Sequence, residues 1–409
     1  MSARLHRLAN GVAVAVEPMA GVETLAVGLY ADAGSRSEPA GLGGLAHMVE
    51  HMVFKGAGAR DARAIAEDIE DVGGALNAWT ARDHTVFHAR LLPADLTLGL
   101  DVIADLVRSP RFDADELERE KQVVLAELGE ARDTPDDIVF DHLAAASWKG
   151  QRYGDPVLGD ETSIGAITVA AMRAWLAEQY RPSGLVVAAA GKVDEGALLA
   201  LAEARFGDME AGAPPPPSAA SFTGGTVRDN RRFDQVHLAL AHPGVAQGDP
   251  ALHALSLFAG AAGGGMSSRL FQEVREARGL AYSIFAWSQA AADTGAFGLY
   301  LAADKANAPH AFQLARDVVA QTAEGLTDAE LARAKAQAKA SLLMGLESVQ
   351  ARCDHLARQL QIHGRIVEAN ETIAALDAVT LAEARAAGQA SLLGPAAIAS
   401  VGARLAKAA

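Results

Sequence analysis

Cysteine is almost absent. Cys353 stands alone among 409 residues, so a disulfide scaffold is excluded and the chain suits a reducing compartment. Long apolar runs are also missing: the longest stretches are broken by Gly, Lys, His or Pro, short of the roughly 20 residues of a membrane-spanning helix. Arg4 and Arg7 precede the apolar run GVAVAV, which is too short for a secretory core and ends at Glu17 and Pro18. The expectation is a cytoplasmic protein without a membrane partner. Positive charge is in deficit, with Lys+Arg 36 against Asp+Glu 51 and a net charge of −15. Such a surface repels phosphate backbones and anionic lipid, which argues against nucleic acid as a partner, and it attracts basic peptides. What the chain does have is ordinary for compact domains, 50% hydrophobic and 21% charged residues. Its length allows two or three of them without staples.

Asn10-Gly11 is a tight-turn signal, and Val12, Val14 and Val16 alternate with alanines behind it, the pattern of an edge hairpin. The composition shifts at AGAPPPPSAASFTGG, residues 211–225, where four consecutive prolines form a stiff extended segment that no helix or central strand accepts. A boundary there predicts a domain over 1–210, a Pro-rich linker over 211–225 and a second domain over 226–409. The parts are similar in length and in order. In the first, strand-like LAVGLYADAG precedes helical segments around 43–55 and 64–72 and then strand-like TVFHARLL. In the second, VHLALAHPG precedes a helical stretch around 251–258, then SSRLFQEVREARG, then strands in AYSIFAWSQ and FGLYLAAD. Consecutive strand pairs with helices grouped between them favour an α+β class over a doubly wound parallel sheet. Two duplicated α/β sandwich domains are expected, each an antiparallel-rich sheet packed with helices.

The segment HMVEHMVFKG, residues 47–56, carries the most chemistry. On a helix, His47 and His51 are four apart and about 40° from eclipsed, so both imidazoles reach one ion, with Glu50 on the same side. Leu45, Met48, Val49 and Met52 form an apolar stripe beside them. A pair of histidines at this spacing can also be core residues satisfied by neighbours, but three ionisable groups on one face are expensive to bury without a metal or counter-ions. The order H-x-x-E-H is the inverted form of the zinc-protease motif. His84 and His88 are likewise four apart, but in a strand-like run that separation is about 13 Å and does not chelate one ion. Downstream, residues 113–133 have an acidic start and helical apolar spacing, with Leu117, Val124, Leu125 and Leu128 inward and Glu120 and Glu127 two turns apart on one face.

With these segments the chain resembles the pitrilysin, or M16, family of zinc metallopeptidases, which includes the mitochondrial processing peptidases. The resemblance implies that the glutamate closing EREKQVVLAE, Glu127, is the third zinc ligand beside His47 and His51, and that Glu120 is a supporting carboxylate that orients a ligand. Alone, both would read as exposed helix charges. It further implies Zn2+ with an open position for water, and Glu50 as the general base that takes a proton and passes it to the leaving amine.

The same resemblance places Asn77, in GGALNAWTARDHTVFHARLL, on a strand edge that receives an extended peptide by strand addition. Asn77 can equally be a turn residue after Gly73-Gly74. In the second half it maps substrate binding and oxyanion stabilisation to Arg275 and Tyr282, seven residues apart, which otherwise read as a surface charge and a core aromatic. Alignment of the halves sets LSLFA, residues 255–259, opposite the His47–His51 row, so only the first copy carries the metal motif. The implied architecture is a pitrilysin-like half clamshell that pairs as a homodimer, enclosing a chamber for peptides or unfolded polypeptide. The implied activity is zinc-dependent endopeptidase action on peptides or extended presequence-like segments. The alternatives are a non-catalytic partner subunit of the same family and a dedicated maturation protease for one precursor.

Overall fold

The computed structural model describes residues 3–402; positions 1–2 and 403–409 of the expected domains lie outside the described residues. The strands are β1 (Arg4–Arg7), β2 (Ala13–Pro18), β3 (Leu25–Ala31), β4 (Gly56–Ala57), β5 (Arg60–Asp61), β6 (Ala75–Thr80), β7 (Thr85–Leu91) and β8 (Leu185–Gly191). After them come β9 (Gly225–Asp229), β10 (Val236–Pro243), β11 (Ser283–Ala290), β12 (Gly295–Ala303) and β13 (Ala397–Val401). The helices begin with α1 (Leu45–Val53), α2 (Ala62–Glu70), α3 (Leu96–Arg108), α4 (Ala114–Asp133), α5 (Pro135–Ser147), α6 (Glu161–Ala166), α7 (Val169–Gln179) and α8 (Glu195–Phe206). They continue with α9 (Leu252–Gly263), α10 (Ala308–Gly325), α11 (Asp328–Gly345), α12 (Val349–His363), α13 (Ala369–Ala378) and α14 (Leu381–Leu393). Among the described residues no helix is long and apolar enough to cross a membrane.

Two sheets carry the architecture. The first has the order β1-β2-β8-β3-β7-β6 and the second the order β11-β12-β10-β13-β9. In the first, β2 runs parallel to β8 while β3 is antiparallel to both β8 and β7. In the second, β9 runs parallel to β13 while β10 is antiparallel to both β13 and β12. Read from the edges, β9-β13-β10-β12-β11 repeats β2-β8-β3-β7-β6, and α1 follows β3 as α9 follows β10. The duplication therefore extends to strand order and polarity, and β1 is the extra edge strand of the first copy. The hairpin expected at Asn10-Gly11 joins β1 to β2, with Arg7 opposite Ala13 and Gly11 at φ +106°, where a side chain would be strained.

The residues form two compact units: Met1–Leu128, Pro156–Ser218 and Met344–Val367 in the first; Gly129–Asp155, Ala219–Leu343 and Glu368–Ala409 in the second. Residues 211–224 carry neither helix nor strand, and β9 begins at Gly225. The expected split at that linker separates the two sheets, but each unit also takes a helix from the other half of the chain. The reason lies in the strands. All seven residues of β3 are buried, the signature of a strand covered on both faces. Leu25, Val27 and Leu29 join the core that contains α1 and α3. Ala26 and Tyr30 point the other way and pack with Cys353, Leu356 and Leu360 of α12. In the second unit, Leu238 and Leu240 face Leu255 and Phe258 of α9, while Ala239 and Ala241 face Ile138, Val139 and Leu143 of α5.

Candidate metal centre

Helix α1 begins at a strained position. Gly44 has φ +87°, and a Cβ there would lie 2.5 Å from the Leu158 carbonyl oxygen, so glycine is required. Its N-terminus is capped from a distance: the Glu38 carboxylate accepts from the backbone N–H groups of Gly44 at 3.0 Å and Ala46 at 2.8 Å, a negative charge on the positive end of the helix dipole. Leu45, Ala46, Met48, Val49, Met52 and Val53 are buried in the core. Their burial leaves His47, Glu50 and His51 on the opposite face, as the apolar stripe predicts.

Helix α4 supplies the carboxylates. Leu117, Val124 and Leu128 pack into the same core, with Leu125 partly buried against it. This turns Glu120 and Glu127 toward α1. The His47 and His51 Nε2 atoms face each other at 3.1 Å, and Glu127 Oε2 lies 3.6 Å from His51 Nε2 and 3.9 Å from His47 Nε2. A divalent ion with tetrahedral bonds near 2.05 Å requires ligand-to-ligand edges of about 3.3 Å. The observed triangle is close to that, and these residues form a metal-capable group.

The surroundings set the protonation states. His51 Nδ1 donates to Glu120 Oε1 at 2.8 Å, because an ionised carboxylate only accepts, and the Nε2 lone pair is left facing the cluster. Lys55 Nζ donates to the other Glu120 oxygen at 2.7 Å, so a 5% exposed carboxylate has a partner at each oxygen. Burial, and then the nearby His51, lower the His47 pKa to about 4, which keeps its imidazole neutral and able to donate a lone pair to a metal at neutral pH. Burial raises the Glu50 pKa, opposed by the hydroxyl of Thr80, which donates to Glu50 Oε2.

His47, Glu50, His51, Glu120 and Glu127 are thus brought together in the first unit. Asn77 is not among them. It lies on β6, the edge strand of the first sheet, paired with His88. Leu76 and Ala78 pack on the α1 side, so strand alternation puts the Asn77 side chain on the other face, where its Oδ1 accepts from the Ala78 N–H. It is a strand residue and not part of the turn after Gly73-Gly74. His84 and His88 are separate from the metal-capable group as well: His84 Nδ1 accepts from Arg358 of α12 at 2.9 Å.

In the second unit, Arg275 and Tyr282 do meet. The Arg275 guanidinium carbon stacks 5.2 Å from the Tyr282 ring centre and 4.7 Å from that of Phe271. Tyr282 is 71% exposed, which excludes a core role. Sequence reasoning missed Lys55, Thr80 and Glu38. Lys55 lies within HMVEHMVFKG, so its proximity was visible there; Thr80 and Glu38 carried no local signal.

Residues 13–161 match the family model described as Insulinase (Peptidase family M16), and residues 166–338 match one described as Peptidase M16 inactive domain. A protein of Mycobacterium tuberculosis named as an uncharacterized zinc protease is 35% identical over 410 aligned residues, covering 97% of this chain and 94% of its own. A Bacillus subtilis protein of the same description is 32% identical over 374 residues, with 91% of each chain covered. Among solved structures, one described as a peptidase M16 inactive domain from Pseudomonas fluorescens superposes with TM-score 0.91 at 24% identity, covering 100% of this chain and 99% of its own. A protease from Helicobacter pylori gives 0.88 at 20% identity, with 97% and 99% covered. These two are likenesses of fold. The two family matches, with the extent and identity of the named relatives, place the chain in peptidase family M16.

Proposed function

We propose that the chain is a zinc-dependent endopeptidase that cleaves peptides or extended, presequence-like segments. The convergence of His47 Nε2, His51 Nε2 and Glu127 Oε2 carries this reading. Two imidazoles and one carboxylate suit zinc, and relatives are named as zinc proteases. When bound there, zinc supplies Lewis-acid polarisation of a water and of a peptide carbonyl.

The protein's own groups do the rest. Glu50 Oε2 is held by the Thr80 hydroxyl, leaving Oε1 to take a proton and return it to the leaving amine. Burial raises the affinity of that carboxylate for the proton, bringing it nearer the working pH of a general base. Glu120 and Lys55 hold the His51 ring in one tautomer. No described strand lies on the outer side of the edge strand β6, so an extended peptide can add there as a further strand, its carbonyl taking over the Ala78 N–H that Asn77 Oδ1 accepts from. Tyr282 and Arg275 offer an exposed hydroxyl and a guanidinium for substrate backbone.

The reading includes a homodimer, because one chain carries both the His–Glu cluster and the Arg–Tyr pair, and a cytoplasmic location. With a net charge of −15, basic peptides are favoured over nucleic acid or anionic membrane. The deciding experiment measures hydrolysis of an unstructured basic peptide. Chelation abolishes cleavage and zinc restores it, while Glu50→Gln retains zinc and loses turnover. Unchanged hydrolysis by metal-free protein sinks the proposal, and light scattering of the purified chain reports whether it is a dimer.

A further inference from the structure

The first unit also contains a cleft of about 680 Å³, within the usual range for small-ligand sites. The end of α3 and the turn leading to α4 form one wall; α7 and the turn after it form the other. Four arginines line it, Arg108, Arg111, Arg173 and Arg181, together with Phe112 and Leu176. In a chain with a net charge of −15, such a concentration of guanidinium groups runs against the overall field.

Their pairing is incomplete. Arg108 reaches Asp208 at 2.9 Å, while the carboxylate nearest Arg181 is Glu210 at 3.7 Å, beyond hydrogen-bond length. Arg111 Nε donates to the Gly58 carbonyl at 3.2 Å, and Arg173 Nη2 donates to the Arg111 carbonyl at 2.5 Å. Among the described residues, neither Arg111 nor Arg173 has a carboxylate partner. Each guanidinium has five N–H donors in a planar fork, so most of this capacity remains for a ligand. The Arg173 plane is braced by the ring of Phe112, 5.5 Å away. Phe112 itself is buried and sits at φ +48°, the one non-glycine residue with positive φ among those described.

We propose that this cleft binds an acidic peptide segment, with side-chain carboxylates on Arg111 and Arg173 and a neighbouring apolar side chain against Leu176 and Met209, the partly exposed apolar residues of its lining. The forked donors match carboxylate geometry. The apolar wall favours a peptide over a bare phosphate, which leaves that surface uncovered. The site is separate from the His–Glu cluster, and the proposal does not rest on proteolytic activity.

The test uses the full chain with Glu50→Gln, so that the probe is not consumed, and a fluorescein-labelled peptide of alternating Glu and Phe read by polarisation. Saturable binding weakens about tenfold for each of R111Q and R173Q, a loss of one charge-assisted contact. The counterpart with Gln for Glu also binds at least about tenfold more weakly, and added chelator changes nothing. Both arginines are exposed, and thermal unfolding of the variants checks that they fold. Equal affinity for the Gln peptide, indifference to both substitutions or loss of binding on chelation overturns the proposal. Inorganic phosphate displacing the probe below the concentration of peptide needed for half-saturation overturns the peptide assignment as well.

Discussion

Replacement of Glu120 by Gln tests the site through a group that is not itself in the metal triangle. The wild-type carboxylate accepts from His51 Nδ1 at 2.8 Å and from Lys55 Nζ at 2.7 Å. A glutamine there has one acceptor oxygen and one donor amide, so one of its two neighbours, both donors, faces N–H against N–H. With Glu120 almost fully buried, that conflict costs about 1–3 kcal/mol of stability in the metal-free protein. If the amide turns its donor to His51, the ring loses its tautomer lock, and loss of such outer partners weakens metal binding by about 10–100-fold. Urea unfolding in chelator reads the first quantity, and competition against a chromophoric zinc chelator reads the second. Lys55→Met in the E120Q background removes the opposing ammonium, lets the amide oxygen return to His51, and recovers most of the stability. The two substitutions are therefore strongly non-additive. Unchanged zinc affinity in E120Q, or losses that add within about 0.5 kcal/mol, would refute the reasoning.

Three further outcomes are expected. Glu50→Gln retains zinc by elemental analysis and lowers kcat by about 10²–10⁴-fold; a variant that keeps wild-type turnover removes Glu50 from the chemistry. Gly44→Ala puts a Cβ 2.5 Å from the Leu158 carbonyl oxygen at φ +87°, which costs about 2–4 kcal/mol in strain and displacement, and it lowers zinc occupancy by shifting α1; a loss below about 0.5 kcal/mol contradicts the close contact. Burial, and then Arg358, lower the His84 pKa to about 3 from an unfolded 6.5. Between those values the unfolded chain binds more protons, so stability present above pH 6.5 falls as the pH drops toward 3, by roughly 4–5 kcal/mol at most. His84→Gln keeps an acceptor for Arg358 and flattens that part of the unfolding profile measured against pH; an unchanged slope rules out His84 as its source.

What could be read from the chain divides by range. The His47–Glu50–His51 face is a matter of helical period within nine residues, and the apolar stripe that anchors α1 is equally local. Four consecutive prolines mark residues 211–225 for the same reason. Glu127 came only through family resemblance, since a glutamate on a charged helix carries no mark of its own. Thr80 bonds to Glu50 from an edge strand thirty residues away, and Lys55 is tied to a carboxylate 65 residues on; neither partnership has a period or motif. The covering helices are the sharper case. Seven consecutive buried residues in β3 already call for packing on both faces, and the Cys353, Leu356, Ala357, Leu360 row of α12 calls for a sheet, but periodicity cannot say which of two duplicated sheets receives it. Shape and polar pairing decide that. The face holding Ala26, Ala188 and Ala190 is shallow enough to seat Cys353, whose thiol donates to the Ala188 carbonyl at 3.2 Å. Tyr30, a large residue on that face, places its hydroxyl to donate to Asp354 at 2.6 Å. A helix from the second half of the chain is thereby matched to the sheet of the first, through complementarity that emerges only when both surfaces exist.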